Sequence, residues 1–486
     1  MKFYMMFSKH PAILIPATVL LHALLAPLMG LDMHFDEAQY WDWSRRLDLG
    51  YYSKGPLVPW LIAASEALFG HGEWQTRLPA WIGHGLLLWV LYRAGSEIGG
   101  TAKAGGWAVF FGLFLPLWFL LGHLMTTDLW VILAWSGALR AIHRGLESDA
   151  RAPWIWLGVC VGLGALAKLS IGLLAVFLLP ALLLSAAGRR RLRTPWPWLA
   201  GAIALAVMSP MIIWNALNGW VLLLHEQGHL SGGGAEGNPA ELLLSQVLFY
   251  SPPLFLLLLT GLLWPRGAAG ARTIWWITLL ALGFFVLKSM GGKVQPNWPA
   301  PVYAGLILLA SAWLAQRRHR IRLWAAFGAL TGVGLLASAL HAQWFGIEAD
   351  RHPMKKQHGW ETSVAEVAEL AARKPAAGFL LGTHYEITAQ LAYYWPTSIT
   401  SYLTGKAGRR MNQYDLWPGV EREAGRDGLF VSYDAQLPSI VQRAFDHCAP
   451  LAPVIARDSR GREIRRLHVW DCRGHRPVDW PKPERY

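Results

Sequence analysis

Long apolar runs recur along most of this chain, and each approaches the roughly twenty residues that an α-helix needs to cross about 30 Å of hydrocarbon. The runs are continuous rather than alternating, which excludes a transmembrane β-barrel. Of the 486 residues, 54% are hydrophobic and only 15% are charged, whereas soluble domains carry about 25% charged residues. The sequence therefore predicts a polytopic α-helical membrane protein and excludes an ordinary cytosolic enzyme.

The apolar runs, read with Lys and Arg as markers of the loops between them, predict about eleven membrane spans. The predicted spans are 11–31, 78–93, 106–122, 128–144, 154–168, 170–187, 196–217, 243–264, 273–288, 298–315 and 322–345. Most of the net charge of +13 lies in short alternate loops. This pattern indicates membrane topology, not nucleic-acid binding, and places the loops rich in Lys and Arg, with the N-terminus, in the cytoplasm.

The same topology places the first outer loop at 32–77 and, with an odd number of spans, the C-terminal region on the outer side. The first apolar run is longer than the core of a signal peptide, so we expect an uncleaved span. From 346 to 486 the composition becomes charged and mixed. Strands predicted at 377–383 and 428–434 alternate there with helices predicted at 364–373 and 387–395. This alternation predicts a membrane domain over 1–345 and a small α/β domain over 346–486.

The three cysteines divide between these two regions. Cys160 lies inside an apolar run, whereas Cys448 and Cys472 lie in the outer domain. In an oxidising compartment the latter two are candidates for a disulfide, with two free thiols as the alternative. The sequence has no CxxC motif or Cys/His cluster, so a structural zinc site is not expected.

The first outer loop carries adjacent carboxylates directly after the first span. Asp36 is a candidate general base, whereas Glu37 is expected to cap or pair structurally; a solvated acidic helix start is the alternative. Further along, Lys54 precedes Gly-Pro at the start of an apolar segment. A cation at a helix N-terminus suits a phosphate, and a lysine snorkelling to lipid head groups is the alternative.

Further charged residues lie at the predicted outer ends of later spans. Asp128 begins a span, where it also suits a helix cap, and Lys168, Lys288 and Lys293 lie at the outer face. Several cations and two carboxylates at one membrane level predict a site for an anionic lipid head group combined with proton chemistry.

The sequence His225-Glu226-Gln227-Gly228-His229 matches the HExxH pattern of zinc proteases. Gly228 and the glycine run at 232–234 are expected to weaken the helix that this motif requires, and no third ligand is evident. We therefore do not expect a metalloprotease. A role for His225 or His229 near a phosphate or a metal stays open.

Seven short motifs occur along the chain in one order. They are DEAQYW (36–41), KGPLVPWL (54–61), EWQTRLPAW (73–81), TTD (126–128), GLGALAKLSIGLL (162–174), KVQPNWPAP (293–301) and GRRMNQYDLWPG (408–419). Their order and their side of the membrane resemble those of bacterial GT-C glycosyltransferases. More specifically, they resemble the family of the protein O-mannosyltransferases and the lipid A aminoarabinose transferases.

The resemblance implies a GT-C fold and a bacterial inner-membrane enzyme. Such an enzyme transfers a sugar from a polyprenyl-phosphate donor to a lipid A, glycan, lipid or protein acceptor, by an inverting single displacement at the periplasmic face. The resemblance implies a catalytic set in which the catalytic acid of the family falls on Asp36, its neighbour on Glu37 and the second-loop acid on Asp128. Asp128 is expected to position the acceptor or the sugar hydroxyls, and the donor-phosphate lysine falls on Lys54. Aminoarabinose transferases usually have Glu before that lysine, where this chain has Ser53, so the requirement for a divalent metal stays open.

Other residues of the outer face complete the predicted site. Donor-phosphate contacts are predicted for Lys54, Lys168 and Lys293. Substrate contacts are predicted for Tyr40, Arg77, His123, His225, His229, Gln295, Asn297, Arg409, Arg410 and Gln413. A flippase or transporter of the same polyprenyl lipid, and an outer-face polymerase or ligase, are the alternatives. Ionisable groups clustered at the outer ends of spans, without a visible internal repeat, favour the transferase over a transporter.

Overall fold

The computed structural model describes residues 10–230, 237–263, 267–317, 321–348, 351–372, 377–405 and 408–484. The chain divides into two compact units. The first unit, the membrane unit, comprises Met1–Leu25, Lys54–Leu61 and Trp74–Leu336. The second, the mixed unit, comprises Ala26–Ser53, Ile62–Glu73 and Ala337–Tyr486. Two segments of the first loop thus group with the C-terminal region, and the domain boundary at 345 stays a prediction.

Helices dominate the described chain up to Leu340. In chain order they are α1 (Leu14–Met29), α2 (Phe35–Ser44), α3 (Leu57–Phe69), α4 (Glu73–Gly99), α5 (Ala102–Phe114), α6 (Pro116–His123), α7 (Thr127–Glu147), α8 (Ala152–Ala167), α9 (Gly172–Leu183), α10 (Ala186–Leu192), α11 (Trp196–Leu217), α12 (Val221–Leu230), α13 (Pro239–Phe249), α14 (Pro252–Leu259), α15 (Ala269–Gly291), α16 (Tyr303–Ala315) and α17 (Ile321–Leu340).

Helices occupy each of the predicted span positions. By length and composition, four helical stretches among the described residues suffice to cross a membrane: Pro11–Met29, α11, α15 and α17. The number rises to seven if each of three bent helix pairs counts as one span. The remaining helices at predicted positions are shorter or more polar, so the total of eleven stays a prediction.

The bent pairs lie at predicted spans 106–122, 170–187 and 243–264. Their two halves meet at 71°, 113° and 104°, respectively. Proline begins the second half of the first and third pairs, at Pro116 and Pro252. Because proline lacks an N–H and clashes with the preceding turn, it ends one helix and begins the next. In the second pair, Ser185 caps α10 by accepting a hydrogen bond from Gly188 N at 2.9 Å.

Small residues bring helices of the membrane unit close together. A Cβ atom at Gly158 of α8 would overlap the backbone of Ala200 in α11, and one at Gly162 would overlap Val207. Without a strong hydrophobic drive between helices in lipid, such close backbone packing is a main source of helix association. The pairing of α8 with α11 therefore depends on these two glycines.

The mixed unit contains a six-stranded sheet. Its strands are β1 (Phe379–Gly382), β2 (Ser401–Leu403), β3 (Gly428–Ser432), β4 (Phe445–Pro450), β5 (Val454–Arg457) and β6 (Glu463–His475), and its helices are α18 (Trp360–Ala372), α19 (Tyr385–Tyr394) and α20 (Ser439–Ala444). The order is β2-β1-β3-β6-β4, with β5 also paired to β6. β1 runs parallel to β2 and β3, whereas β6 is antiparallel to its partners. The two predicted strands are confirmed as β1 and β3.

Side chains of the central strands alternate between two hydrophobic cores. Leu380 and Leu429 pack with α18 and α19 residues such as Val364 on one face. Phe379 and Phe430 pack on the opposite face. This period of two is the geometric property of a strand, and it explains why β1 and β3 read as continuous apolar runs.

Cys448 and Cys472 lie directly opposite each other on β4 and β6 and form a disulfide bond with a Cα–Cα distance of 4.1 Å. Cys160, on α8, is a free thiol. The bond joins the end of the chain to a strand at the edge of the sheet.

Removing this disulfide is expected to destabilise the mixed unit. The cysteines are 24 residues apart, and a loop of this size corresponds to about 3 kcal/mol of stabilisation. We expect Cys448→Ser to lower the urea midpoint for pulse proteolysis of the full-length protein in nanodiscs, whereas the control Cys160→Ser leaves it unchanged. Three free thiols, instead of one, in the unfolded wild type under non-reducing conditions would contradict the bond.

Candidate functional site

The start of α2 separates the roles of Asp36 and Glu37. His34 is the N-cap, and its Nδ1 accepts a hydrogen bond from Asp36 N at 3.2 Å. Glu37 Oε2 accepts a hydrogen bond from His34 N at 2.9 Å, which completes a capping box. Glu37 is fully buried. The structure thus uses Glu37 as a helix cap, one of the two structural roles expected for it, and leaves Asp36 as the accessible carboxylate. A catalytic role of Glu37 stays a prediction.

Asp36 lies on the surface of the mixed unit. Its side chain is 40% exposed, and its Oδ2 is 3.7 Å from His34 Nδ1. Burial raises the pKa of the nearby Tyr385 above its usual range, and the charges of Asp36 and Glu386 raise it further. Tyr385 therefore keeps its proton and can donate a hydrogen bond beside Asp36. Tyr40, by contrast, is buried within α2, with its ring centroid 5.2 Å from that of Trp43, and its contact with substrate stays a prediction.

Tyr385 was not predicted from the sequence. It begins α19 just after the carboxyl end of the parallel strand β1. Ligands of α/β sheets commonly bind beyond the carboxyl ends of strands. The position of Tyr385 after β1 is therefore the feature by which it could have been identified as a candidate site residue.

The segment 408–419, which we call the strap, holds the first loop within the mixed unit. Gln413 is buried, and its Oε1 accepts a hydrogen bond from Tyr52 N at 2.7 Å. Arg409 Nη1 donates to Asp415 Oδ2 at 2.7 Å. Gln413 and Arg409 thus bind other residues of the mixed unit, and their contacts with substrate stay predictions. Of Arg409, Arg410 and Gln413, Arg410 is the exposed residue. Its positive charge partly opposes the rise in the pKa of Tyr385 that burial causes.

Two further contacts attach the strap to α2. Asp42 is buried, and this burial raises the pKa of its carboxyl group above its usual range; the charges of Arg46 and Arg45 and the nearby Tyr414 of the strap act in the opposite direction. The guanidinium of Arg46 lies over the Trp417 ring, 4.2 Å from its centroid. The strap therefore contacts both α2, which carries Asp36, and the residues just before Lys54.

In the membrane unit, three distant segments meet at Asp128. Asp128 lies in the first turn of α7. Lys168 Nζ donates to Asp128 Oδ1 at 2.9 Å, and Asn297 Nδ2 donates to Oδ2 at 2.9 Å. The Lys168 and Asp128 side chains are each 14% exposed. We call this group the Asp128 cluster.

A glycine brings the Lys54 segment to the same end of the membrane unit. A Cβ atom at Gly55 would overlap the backbone of Leu166, so the segment approaches α8 more closely than any other residue type permits. Helix α8 ends at Ala167, and Lys168 is its C-cap. The backbones that carry Lys54 and Lys168 thus meet at one end of α8.

The remaining candidates of the membrane unit have other surroundings. Lys293 Nζ is 3.7 Å from Glu241 Oε1, and both side chains are more than half exposed. Gln295 is exposed, whereas Arg77 is buried in α4. His123 is fully buried at the end of α6. Lys288 lies over the Trp298 ring, 5.9 Å from its centroid.

The HExxH motif lies in α12, which continues through Gly228. Gly228 therefore does not end the helix, although glycine in a helix interior is less favourable than alanine. His225 is buried, whereas the His229 side chain and the glycine run at 232–234 lie outside the described residues. Among the described residues, no group of three or more His, Cys, Asp or Glu side chains is arranged to hold a metal ion.

Comparison with known proteins gives consistent relationships. Residues 53–214 match the family model described as dolichyl-phosphate-mannose-protein mannosyltransferase. The chain is 28% identical over 298 residues to the lipid A galacturonosyltransferase RgtD of Rhizobium johnstonii, covering 58% of this chain and 60% of that protein. It is 27% identical over 237 residues to the undecaprenyl phosphate-alpha-4-amino-4-deoxy-L-arabinose arabinosyl transferase of Pseudomonas savastanoi pv. phaseolicola, covering 43% of this chain and 42% of that protein. The matches thus span less than two thirds of either relative.

Solved structures show the same relationship at the level of the fold. ArnT from Cupriavidus metallidurans in the apo state is 18% identical, with a TM-score of 0.63 and coverage of 94% of this chain and 98% of that one. The same protein bound to undecaprenyl phosphate gives a TM-score of 0.64 at 18% identity, covering 93% of this chain and 97% of that one. The resemblance in the motifs is therefore confirmed: this chain has the GT-C fold of these structures and is similar to the glycosyltransferases that include the protein O-mannosyltransferases and the lipid A aminoarabinose transferases.

Proposed function

We propose that this protein is an integral membrane glycosyltransferase that moves a sugar from a polyprenyl-phosphate donor to an acceptor at the periplasmic face of the bacterial inner membrane. The observation that carries the proposal is the Asp128 cluster, in which a carboxylate and an amide fix the position of Lys168 beside the Lys54 segment. Two lysines at one end of α8 suit a ligand with a phosphate at the membrane surface.

On the donor side, Lys54 and Lys168 are assigned to the phosphate. When the bond between the sugar and the phosphate breaks, negative charge develops on the phosphate oxygens. Fixed cations stabilise that charge, and a lipid phosphate leaves without being protonated. Asp128 is assigned as the positioning residue of Lys168, because both of its oxygens accept hydrogen bonds within the cluster.

On the acceptor side, Asp36 is assigned as the general base. It takes the proton of the acceptor hydroxyl, whose oxygen bonds to the anomeric carbon as the bond to the phosphate breaks. One carboxylate suffices for this inverting displacement, in agreement with the capping role of Glu37. The name of one relative, a lipid A galacturonosyltransferase, gives lipid A as its acceptor, so lipid A is the acceptor that we favour over a glycan or a protein.

The proposed topology places the N-terminus in the cytoplasm and the C-terminal region in the periplasm. The charges of the short loops support this orientation. The disulfide between Cys448 and Cys472 supports it independently, because such bonds persist in oxidising compartments.

Replacing Asp36 is expected to abolish transfer without abolishing donor binding. Loss of a general base lowers the rate by about 10²–10⁴-fold. We would compare lipid and envelope extracts by mass spectrometry from the wild type, a deletion strain, Asp36→Asn and the control Asp149→Asn, whose side chain is 97% exposed. A glycosylated species is expected to disappear from the deletion and Asp36→Asn strains only.

A different pattern in the same experiment would favour a transporter. Normal glycosylation in Asp36→Asn, with accumulation of polyprenyl-linked sugar in the deletion strain alone, would contradict chemistry at Asp36. The mass of the missing species in the expected pattern identifies both the sugar and the acceptor.

Replacing either lysine at the end of α8 is expected to weaken binding of the lipid phosphate. We expect Lys54→Ala and Lys168→Ala each to raise the Kd for undecaprenyl phosphate about tenfold, since a hydrogen bond to a charged group is worth about 1.5–3 kcal/mol. Binding would be measured by native mass spectrometry in detergent. Lys482→Ala, at an exposed position of the mixed unit, is the control. Unchanged affinity in both lysine variants would refute the donor-phosphate assignment.

The strap is expected to act through the backbone that leads to Lys54. Gln413→Leu removes the acceptor of the Tyr52 N–H and leaves a buried donor unsatisfied, which costs about 1–3 kcal/mol. We expect a rise of about tenfold in KM for the donor with a smaller change in kcat, and near wild-type values for Gln413→Glu, which retains an acceptor oxygen. Equal losses in both variants would show that the hydrogen bond is not the reason for the effect.

A further inference from the structure

Three histidines of the membrane unit are fully buried on three different helices. His22 lies on α1, His84 on α4, and His123 is the last residue of α6. Burying a polar ring in an apolar setting is unfavourable unless hydrogen bonds compensate, and ionisable residues within membrane segments usually carry a function. The proposed reaction uses neither His22 nor His84, so their burial calls for a separate explanation.

The three rings form one hydrogen-bonded series, which we call the histidine chain. His22 Nε2 lies 2.8 Å from His84 Nδ1, and His22 Nδ1 lies 3.2 Å from His123 Nδ1. At the inner end of the series, His84 Nε2 lies 3.3 Å from Gly112 O on α5. The chain therefore connects four helices through side-chain hydrogen bonds.

The backbone carbonyl of Gly112 fixes which nitrogen donates and which accepts in every hydrogen bond of the histidine chain. Gly112 O can only accept, so His84 carries its proton on Nε2 and its Nδ1 accepts. His22 must then donate from Nε2 and accept at Nδ1. Because His22 Nδ1 accepts this hydrogen bond, Nδ1 of His123 must carry the proton that is donated. Three neutral rings thus have one consistent arrangement, in which His123 differs from the other two in its tautomer.

Close contacts with neighbouring residues hold the three rings of the histidine chain in place. A Cβ atom at Gly122 would overlap the ring of His84, so α6 approaches α4 only because residue 122 is glycine. Trp81 Nε1 donates a hydrogen bond to His123 O at 3.1 Å and covers the rings of His22 and His123 with its indole. The rings are therefore held in place by backbone and aromatic contacts.

His123 also ends the helix that leads to the proposed donor site. Residues 124–126 form the short connection between α6 and α7, and Asp128, in the first turn of α7, binds Lys168 and Asn297. We propose that His22, His84 and His123 are positioning residues, whose directed hydrogen bonds fix the end of α6 and thereby the Asp128 cluster. The catalytic consequence rests on the proposed function, whereas the direction of the chain does not.

Nitrogen-15 NMR of the full-length protein in nanodiscs, labelled on histidine, tests the direction of the chain. Single replacements of His22, His84 and His123 identify the signals of these three residues among those of the 17 histidines. We expect protonated Nε2 on His22 and His84 and protonated Nδ1 on His123 at neutral pH. A protonated Nε2 on His123, or a ring protonated at both nitrogens, would overturn the proposed arrangement whether or not the protein is a transferase.

Two replacements of His22 test the positioning role. Gln can accept at its oxygen and donate from its amide nitrogen, whereas Phe preserves the ring shape without either hydrogen bond. With the wild-type transfer reaction established, we expect His22→Phe to raise KM for the donor at least tenfold and His22→Gln to stay within about threefold of wild type. Equal kinetics for His22→Phe and wild type, or equal loss in both variants, would overturn the positioning role.

A pair of glycine variants gives an independent check that leaves the histidines intact. Gly122→Ala places a methyl group against the His84 ring, whereas a Cβ atom at Gly283 of α15 would meet open space. We expect Gly122→Ala to change the NMR signals of His84 and His22 and to raise KM for the donor, and Gly283→Ala to do neither. Unchanged histidine signals in Gly122→Ala would contradict the proposed packing.

Discussion

The attachment of the first loop to the C-terminal region is the interaction on which the mixed unit depends. Tyr394 OH accepts a hydrogen bond from Met33 N at 2.8 Å, and Gln390 Nε2 donates to Met33 O at 2.7 Å. Trp360 N donates to Asp32 Oδ2 at 2.6 Å. Because α2 begins a few residues later, these bonds fix the helix that presents Asp36. The proposed base is thus supported by residues more than 300 positions away in the chain.

The membrane unit depends on a different constraint, the cost of placing charge near hydrocarbon. Lys168 and Asp128 compensate each other, and Asn297 satisfies the second carboxylate oxygen. Removing one partner of a largely buried ion pair leaves the other charge uncompensated. The free-energy cost of that removal is larger than the stabilisation that the intact pair provides. The cluster is therefore better understood as a device for locating a cation than as a source of stability. The histidine chain applies the same principle with neutral groups.

Much of the fold could be predicted from the sequence, because helices and buried strands depend on local patterns, whereas the roles of the candidate site residues stay predictions. Apolar length predicts the helices, short apolar runs predict β1 and β3, and the adjacent carboxylates directly after the first span predict a structural role for Glu37 as a cap or an ion-pair partner. The contacts of Gln413 with Tyr52 and of His22 with His84 could not be predicted, because each joins residues far apart in sequence. Strands β4 to β6 were missed because their side chains are partly exposed and lack an apolar run.

The discontinuous mixed unit has a consequence for biosynthesis. The segment Ala26–Ser53 leaves the ribosome long before Ala337–Tyr486, with which it forms one compact unit. During synthesis α2 therefore lacks its contacts with the C-terminal part of the mixed unit while the intervening membrane helices insert. The segment that carries Asp36 is completed only after the last strands have formed, and β4 and β6 are then joined by the disulfide. Premature termination anywhere before the sheet would consequently leave a membrane-embedded bundle in which this segment is unsupported.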